Sequence, residues 1–284
     1  TSAHNTCIGY FAGGELTTGA SNIAMGSLAL DGCDTESNNL AIGFGSLGSS
    51  DLAGGEFNVA IGNNTLDALT SGDSNVAVGY NAGSAINSGY ENTALGRNAA
   101  YGLTEGYNNT ALGANAGYSL STGDNNILIG KDAGQSGSPG GQIDTENNII
   151  CIGDENITAF NCQVGVSAAS DKRDKTEVSS IDIGLEFVNK LKPVTYRWDK
   201  RSKYDDAVPT GEHKEAKLDI GFLAQDVEVL ENEYGYTKED ETNLTTNLSK
   251  DGQQYGINYS KFIPILVKAV QELSATVTTL QQEI

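Results

Sequence analysis

Basic side chains are nearly missing from the first 169 residues, where Arg97 and Lys131 stand alone against 16 acids, for a charge of −14. The remaining 115 residues hold 15 bases and 21 acids, −6, so the chain carries −20 in all. A surface of that sign repels phosphate, which argues against nucleic acid or an anionic membrane as partner. Proline occurs four times, and tryptophan and methionine once each. No apolar run approaches the roughly 20 residues of a membrane span, so no membrane insertion is expected, and no secretory signal is visible. The four cysteines, Cys7, Cys33, Cys151 and Cys162, include no C-x-x-C pair, and there are two histidines. That argues against zinc, and neither a metal nor a cofactor is expected. Cys7 and Cys151 each precede an Ile-Gly pair, in a slot that Ala usually fills, and buried free thiols are expected.

Glycine, by contrast, is abundant, at 35 of 284 residues. That is too much for an ordinary α/β enzyme, and the glycines do not fall in collagen triplets. They punctuate a repeat instead. The phrases "NTCIG", "NIAMG", "NLAIG", "NVAIG", "NVAVG", "NTALG" (twice), "NILIG" and "IICIG" close on Gly9, Gly26, Gly43, Gly62, Gly79, Gly96, Gly113, Gly130 and Gly153. Most intervals are 17 residues; one is 19 and the last is 23. Eight copies carry Asn four places before the Gly, and a small residue, mostly Ala, stands two before it. Larger β-branched or aliphatic residues take most of the positions between. This reads as a short strand closed by a turn glycine. A second glycine, as in "NAGSAINSG", marks another corner.

A 17-residue unit buries nothing alone, but stacked units share a core. Like residues then lie about 4.8 Å apart, so the Asn column becomes an amide ladder and the Leu or Ile columns an apolar spine. Because side chains alternate faces along a strand, Asn and Ala share one face and the larger apolar residues the other. One face is expected to fill the coil and the other to pack on sister chains, which makes a parallel homotrimer the natural assembly. The phrase resembles the "N-S-V-A-I-G" repeat of trimeric autotransporter adhesin heads, a left-handed β-roll, and the repeat style of bacteriophage tail fibres. The period here is longer than in adhesin heads.

Beyond the repeats the pattern turns α+β. "IDIGLEFVNKL" has helical spacing and is stopped by Pro193. "VTYRW" and "DIGFLA" read as strands and "AQDVEVL" as a short helix, while 200–217 and 231–256 read as loops. From Ser260, an expected N-cap, Ile263, Leu266, Val270, Leu273, Val277, Leu280 and Ile284 alternate spacings of three and four. This heptad seam is the expected trimerisation surface. β-Branched a with Leu at d by itself favours two strands. The uncharged flanks (Val267, Ala269, Ser274, Thr276, Gln281) allow a wider buried face and three. A single helix buried in a core stays open as the alternative.

"SDKRDK", "GLEFVNKLKPVTYRW", "IGFLAQDVE" and "YSKFIPILVKAVQEL" together resemble the endosialidase-type C-terminal intramolecular chaperone, peptidase family S seventy-four, over about 168–284. Asp219 stands where many members carry His. The resemblance implies a domain at the end of a phage tail fibre or tailspike that trimerises, guides folding of the β-structure before it, and cuts itself off. It implies cleavage at Ala169–Ser170 with Ser170 and Lys175 as catalytic dyad, and no turnover of an external substrate. A serine needs such a base, and a lysine serves once its proton is made easier to lose. A spacing of five places the two on one face of neither a helix nor a strand, so a turn, or a neighbouring chain, must pair them. The implied partners are two further copies, an upstream fibre region and a host receptor, a glycan or outer-membrane protein. The implied place is the virion tail fibre, assembled in the host cytoplasm. The expected organisation is a β-solenoid of 17-residue repeats over 1–155, a linker over 156–169, and an α+β chaperone domain over 170–284 ending in a coiled-coil helix, 260–284. Two alternatives stay open: a non-enzymatic adhesin that keeps this domain as a trimerising cap, and a glycan-degrading tailspike, for which the repeats show no paired-carboxylate motif.

Overall fold

The structure, a computed structural model, describes residues 4–48, 54–138, 140–163, 168–249 and 252–283. The chain divides into two compact units, Thr1–Thr158 and Ala159–Ile284. The division falls inside the segment expected as a linker.

The first unit is a β-solenoid. Nine three-residue strands follow one another: β1 (Thr6–Ile8), β2 (Ile23–Met25), β3 (Leu40–Ile42), β4 (Val59–Ile61) and β5 (Val76–Val78), then β6 (Thr93–Leu95), β7 (Thr110–Leu112), β8 (Ile127–Ile129) and β9 (Ile150–Ile152). They form one parallel sheet in sequence order. The register places Cys7 on Ala24, Ala24 on Ala41, and so on to Leu128 on Cys151, which are the central positions of each phrase. Ala24, Ala41, Ala60, Ala77, Ala94 and Ala111 are buried. So are Asn22, Asn39, Asn58, Asn75, Asn92, Asn109 and Asn126, as the shared face required. The far corner supplies the spine: Cys33, Leu69, Ile86, Leu103, Leu120 and Ile143, with Leu16 packed against it. Cys33 thus stands in a Leu/Ile column. Where β8 carries Leu128 instead of Ala, Gly117 and Gly134 leave it room, since a Cβ at either would lie 2.9 or 3.3 Å from its Cδ1.

The Asn column is a ladder of two kinds of bond. Each side-chain oxygen accepts the backbone N–H of the residue stacked one coil on, as in Asn92 to Asn75 Oδ1 (3.0 Å) and Asn109 to Asn92 Oδ1 (2.9 Å), the last being Ile149 to Asn126 Oδ1 (2.9 Å). Each amide nitrogen donates across its own coil to a corner carbonyl, as in Asn75 to Gly89 and Asn92 to Gly106, both 2.8 Å. The closing glycines Gly9 to Gly113 have φ between 133° and 139°. A Cβ on any of them would lie 2.6 Å or less from the carbonyl oxygen of the next closing glycine. Both facts exclude other residues from the column. One expectation fails here: Cys7 is exposed. Cys33 and Cys151 are buried.

In the second unit, helix α1 (Leu185–Lys190) precedes β10 (Val194–Tyr196), which pairs antiparallel with β11 (Asp219–Gly221). Helix α2 (Ala224–Glu233) follows, then a hairpin of β12 (Thr246–Leu248) and β13 (Tyr255–Ile257), then α3 (Phe262–Gln282). The core gathers Ile183, Phe187, Val227, Leu230, Phe262 and Ile265. The hairpin corrects the reading of 231–256 as loop. It is tied to α2 through Glu231, whose buried carboxylate accepts the Thr245 N–H at 2.7 Å and the hydroxyls of Thr245 and Thr246 at 2.6 and 2.7 Å. Ser260 is not the N-cap of α3. A 3-10 turn, Tyr259–Lys261, precedes the helix, and Ser260 Oγ donates to Asn258 Oδ1 at 2.6 Å.

Candidate functional site

The segment "SDKRDK" folds into one 3-10 turn, Lys172–Asp174. Asp171 is its N-cap, with Oδ1 accepting the Arg173 N–H at 2.9 Å. The turn closes through Asp174 N–H to Asp171 O (3.2 Å) and Lys175 N–H to Lys172 O (3.3 Å). The guanidinium of Arg173 folds back on the same carboxylate, Nη2 donating to Oδ2 at 2.6 Å and Nε to Oδ1 at 3.1 Å. That fork, and the Arg173 N–H with it, hold the Asp171 carboxyl below the usual carboxylate range. The turn reverses the chain, so Lys175 Nζ donates to Ser170 Oγ at 2.6 Å. A spacing that fits neither helix nor strand is therefore bridged within one chain.

Residues 168–180 are all exposed. Among the described residues of the second unit, none covers the Ser170–Lys175 pair, which is open to solvent.

Helix α3 has two faces. Phe262, Ile265 and Ala269 are buried against the second unit, Ile265 at 1% exposure. Ile263 (62%), Leu266 (46%), Val270 (65%), Leu273, Val277 and Leu280 are exposed. Ile284, the last position of the expected seam, lies outside the described residues. The anchored face is thus the c and g side of the heptads, and the a and d side is uncovered in the single chain. Glu272 fixes the helix to α1: its Oε2 accepts the Leu185 N–H at 2.7 Å, at the N-terminus of α1. Gly184 makes room for it, because a Cβ there would overlap the Glu272 carboxylate. Beyond Glu272 the described part of α3, residues 273–283, is exposed on every side.

Comparison with known families locates the segment. Residues 170–236 match the family model for the chaperone of endosialidase. No curated protein and no solved structure matches the chain. The chaperone match opens on Ser170 and runs through the turn, α1, β10, β11 and α2. The hairpin and α3 lie beyond it.

Sequence reasoning named Ser170 and Lys175 as the dyad but not the Asp171–Arg173 pair between them. Their i, i+2 spacing was the available signal, because a carboxylate at an N-cap reaches the N–H two residues on. Glu272 left no local signal, since its partner is 87 residues away.

Proposed function

We propose that the second unit is a C-terminal intramolecular chaperone of a bacteriophage tail fibre. On this reading it aligns three chains, lets their solenoids fold, and then cuts the Ala169–Ser170 bond. The observation that carries the proposal is that the family match begins at Ser170, the residue whose hydroxyl Lys175 contacts at 2.6 Å.

The chemistry follows from where Ser170 stands. It lies on the amine side of the bond, so its Oγ reaches the Ala169 carbonyl carbon through a five-membered ring. Lys175, unprotonated, takes the Oγ proton as the C–O bond forms. The Ala169 C–N bond then breaks and the proton passes to the Ser170 nitrogen. The result is an ester of Ala169 on Ser170 Oγ with a free Ser170 amine. Water hydrolyses that ester, leaving an Ala169 carboxylate and a fragment beginning Ser-Asp-Lys-Arg. A lysine amine loses its proton more readily when desolvated. The pair is exposed in the single chain, so packing of three chains around it would make cutting depend on assembly.

The apolar seam supports the trimer. Burying each of its side chains is worth roughly 1.5–3 kcal/mol, and α3 holds them away from its own domain. The outward strand face, with Ile23, Met25, Leu95, Leu112, Ile127, Ile150 and Ile152 exposed, offers sister chains a second apolar surface. Within the fibre the solenoid serves as shaft or as a tip that contacts a host receptor, a glycan or outer-membrane protein.

The test is a denaturing gel of wild type beside Ser170→Ala, with N-terminal sequencing of the smaller product. Wild type should give two bands and a new N-terminus at Ser170; Ser170→Ala should give one. A single wild-type band would leave the domain an attached trimerising cap.

A further inference from the structure

We infer that Asp171 and Arg173 form a clamp that positions Lys175 on Ser170, a role that rests on the self-cleavage reading above. The pair's contact is made by two flexible ends. A lysine carries four rotatable bonds, and both residues lie in an exposed segment with no core to hold them. What is fixed is the turn between them. One carboxylate, that of Asp171, holds it twice: by capping the Arg173 N–H and by taking the Arg173 guanidinium in a fork. The backbone closes over that cap through Lys175 N–H to Lys172 O at 3.3 Å, which sets the direction of the lysine side chain. Among the described residues, neither Asp171 nor Arg173 bonds Ser170 or Lys175 by side chain, so both act through the backbone.

A guanidinium beside a lysine could also act electrostatically, by making the lysine easier to deprotonate. The two roles separate by substitution. Arg173→Lys keeps the charge and loses the two-pronged fork. Asp171→Asn keeps a capping oxygen and loses the charge that binds Arg173, and Asp171→Ala loses both.

The experiment follows first-order cleavage of purified full-length chain between pH 6 and 9 for wild type, Asp171→Ala, Asp171→Asn, Arg173→Ala, Arg173→Lys and the double alanine variant. An N-cap loss disfavours a turn about tenfold, so Asp171→Ala should cut about tenfold more slowly across the whole range. Asp171→Asn should lie between it and wild type. Arg173→Ala and Arg173→Lys should slow cutting alike, without moving the midpoint of the pH–rate curve. The double variant should be no slower than Asp171→Ala, since the two residues make one device. Wild-type rates in Asp171→Ala would overturn the clamp. So would an Arg173→Lys that cuts normally while Arg173→Ala shifts the midpoint to higher pH. If the wild-type chain stays whole, the self-cleavage reading fails. The clamp is then judged by magnetisation transfer between the Ser170 β and Lys175 ε protons. Transfer in wild type and its loss in Asp171→Ala would support the clamp; equal transfer in both would overturn it.

Discussion

At the scale of single residues, the asparagine column is the clearest case of a side chain doing backbone work. Asn92 accepts the Asn109 N–H and donates to Gly106 O and Asn75 Oδ1, all while buried. Asn92→Ala would strand a donor and an acceptor inside the coil, at about 1–3 kcal/mol for each group left unpaired. Thermal unfolding should show a loss of that size, and no loss would mean that water replaces the amide. The thiols give a second check. Burial, helped by the bond to Glu36 and its charge, pushes the Cys33 thiol up to about 12, and burial also raises Cys151. Iodoacetamide at pH 8 should therefore modify Cys7 and Cys162 in the folded chain and reach Cys33 and Cys151 only after denaturation, as read by peptide mass spectrometry. At the proposed cleavage site the sign of the Asp171 shift matters. Its carboxyl is held low, so its hold on the turn is complete above the ordinary carboxylate value of about 4 and fades as acid titrates it through the depressed one. Between pH 6 and 9 Asp171 stays ionised, so its hold on the turn is constant there.

At the scale of elements, the three-residue strands were legible because the columns repeat: nine copies turn a pattern too short to read alone into a signal. Helices α1 and α2 were legible from spacing and from Pro193. The hairpin β12–β13 was not, because "TNL" and "YGI" offer no alternation over three residues and their pairing is fixed by a buried glutamate on α2. The seam on α3 could be listed from sequence, but not which face the domain takes. That was decided by Phe262, Ile265 and Ala269, which the heptad pattern leaves on its flank. The start of α3 was misplaced for a related reason: the aromatic contacts of Tyr259 and Phe262 with Phe222 set it, not a hydroxyl cap. The two faces can be broken separately. Leu273→Asp puts a charge in the exposed seam and should yield monomer by light scattering, with the repeat region misfolded during synthesis. Glu272→Ala should keep the oligomer but lower the melting temperature, since the α1 N-terminus loses a charged acceptor worth about 1.5–3 kcal/mol. A trimer that survives Leu273→Asp at normal yield would remove α3 from assembly.

At the scale of the whole molecule, a trimer mass in light scattering is the expected state, and a monomer would sink both the seam and the outward strand face as interfaces. Assembly and cutting should then be ordered. Monomeric Leu273→Asp should remain uncut although its Ser170 and Lys175 are intact, and rapid cutting in that monomer would show that the pair needs no neighbour. The glycine column bears on something else, the length of the solenoid. From Gly9 to Gly113 each closing glycine abuts the carbonyl of the next, so the junction between those coils is the same each time. A coil is therefore an interchangeable part, and reach is a matter of copy number. Duplicating residues 97–113 in frame should lengthen the rod by about 4.8 Å and leave both neighbours' contacts as they were. Such a solenoid is tunable in length one gene-segment duplication at a time, with no joint to redesign.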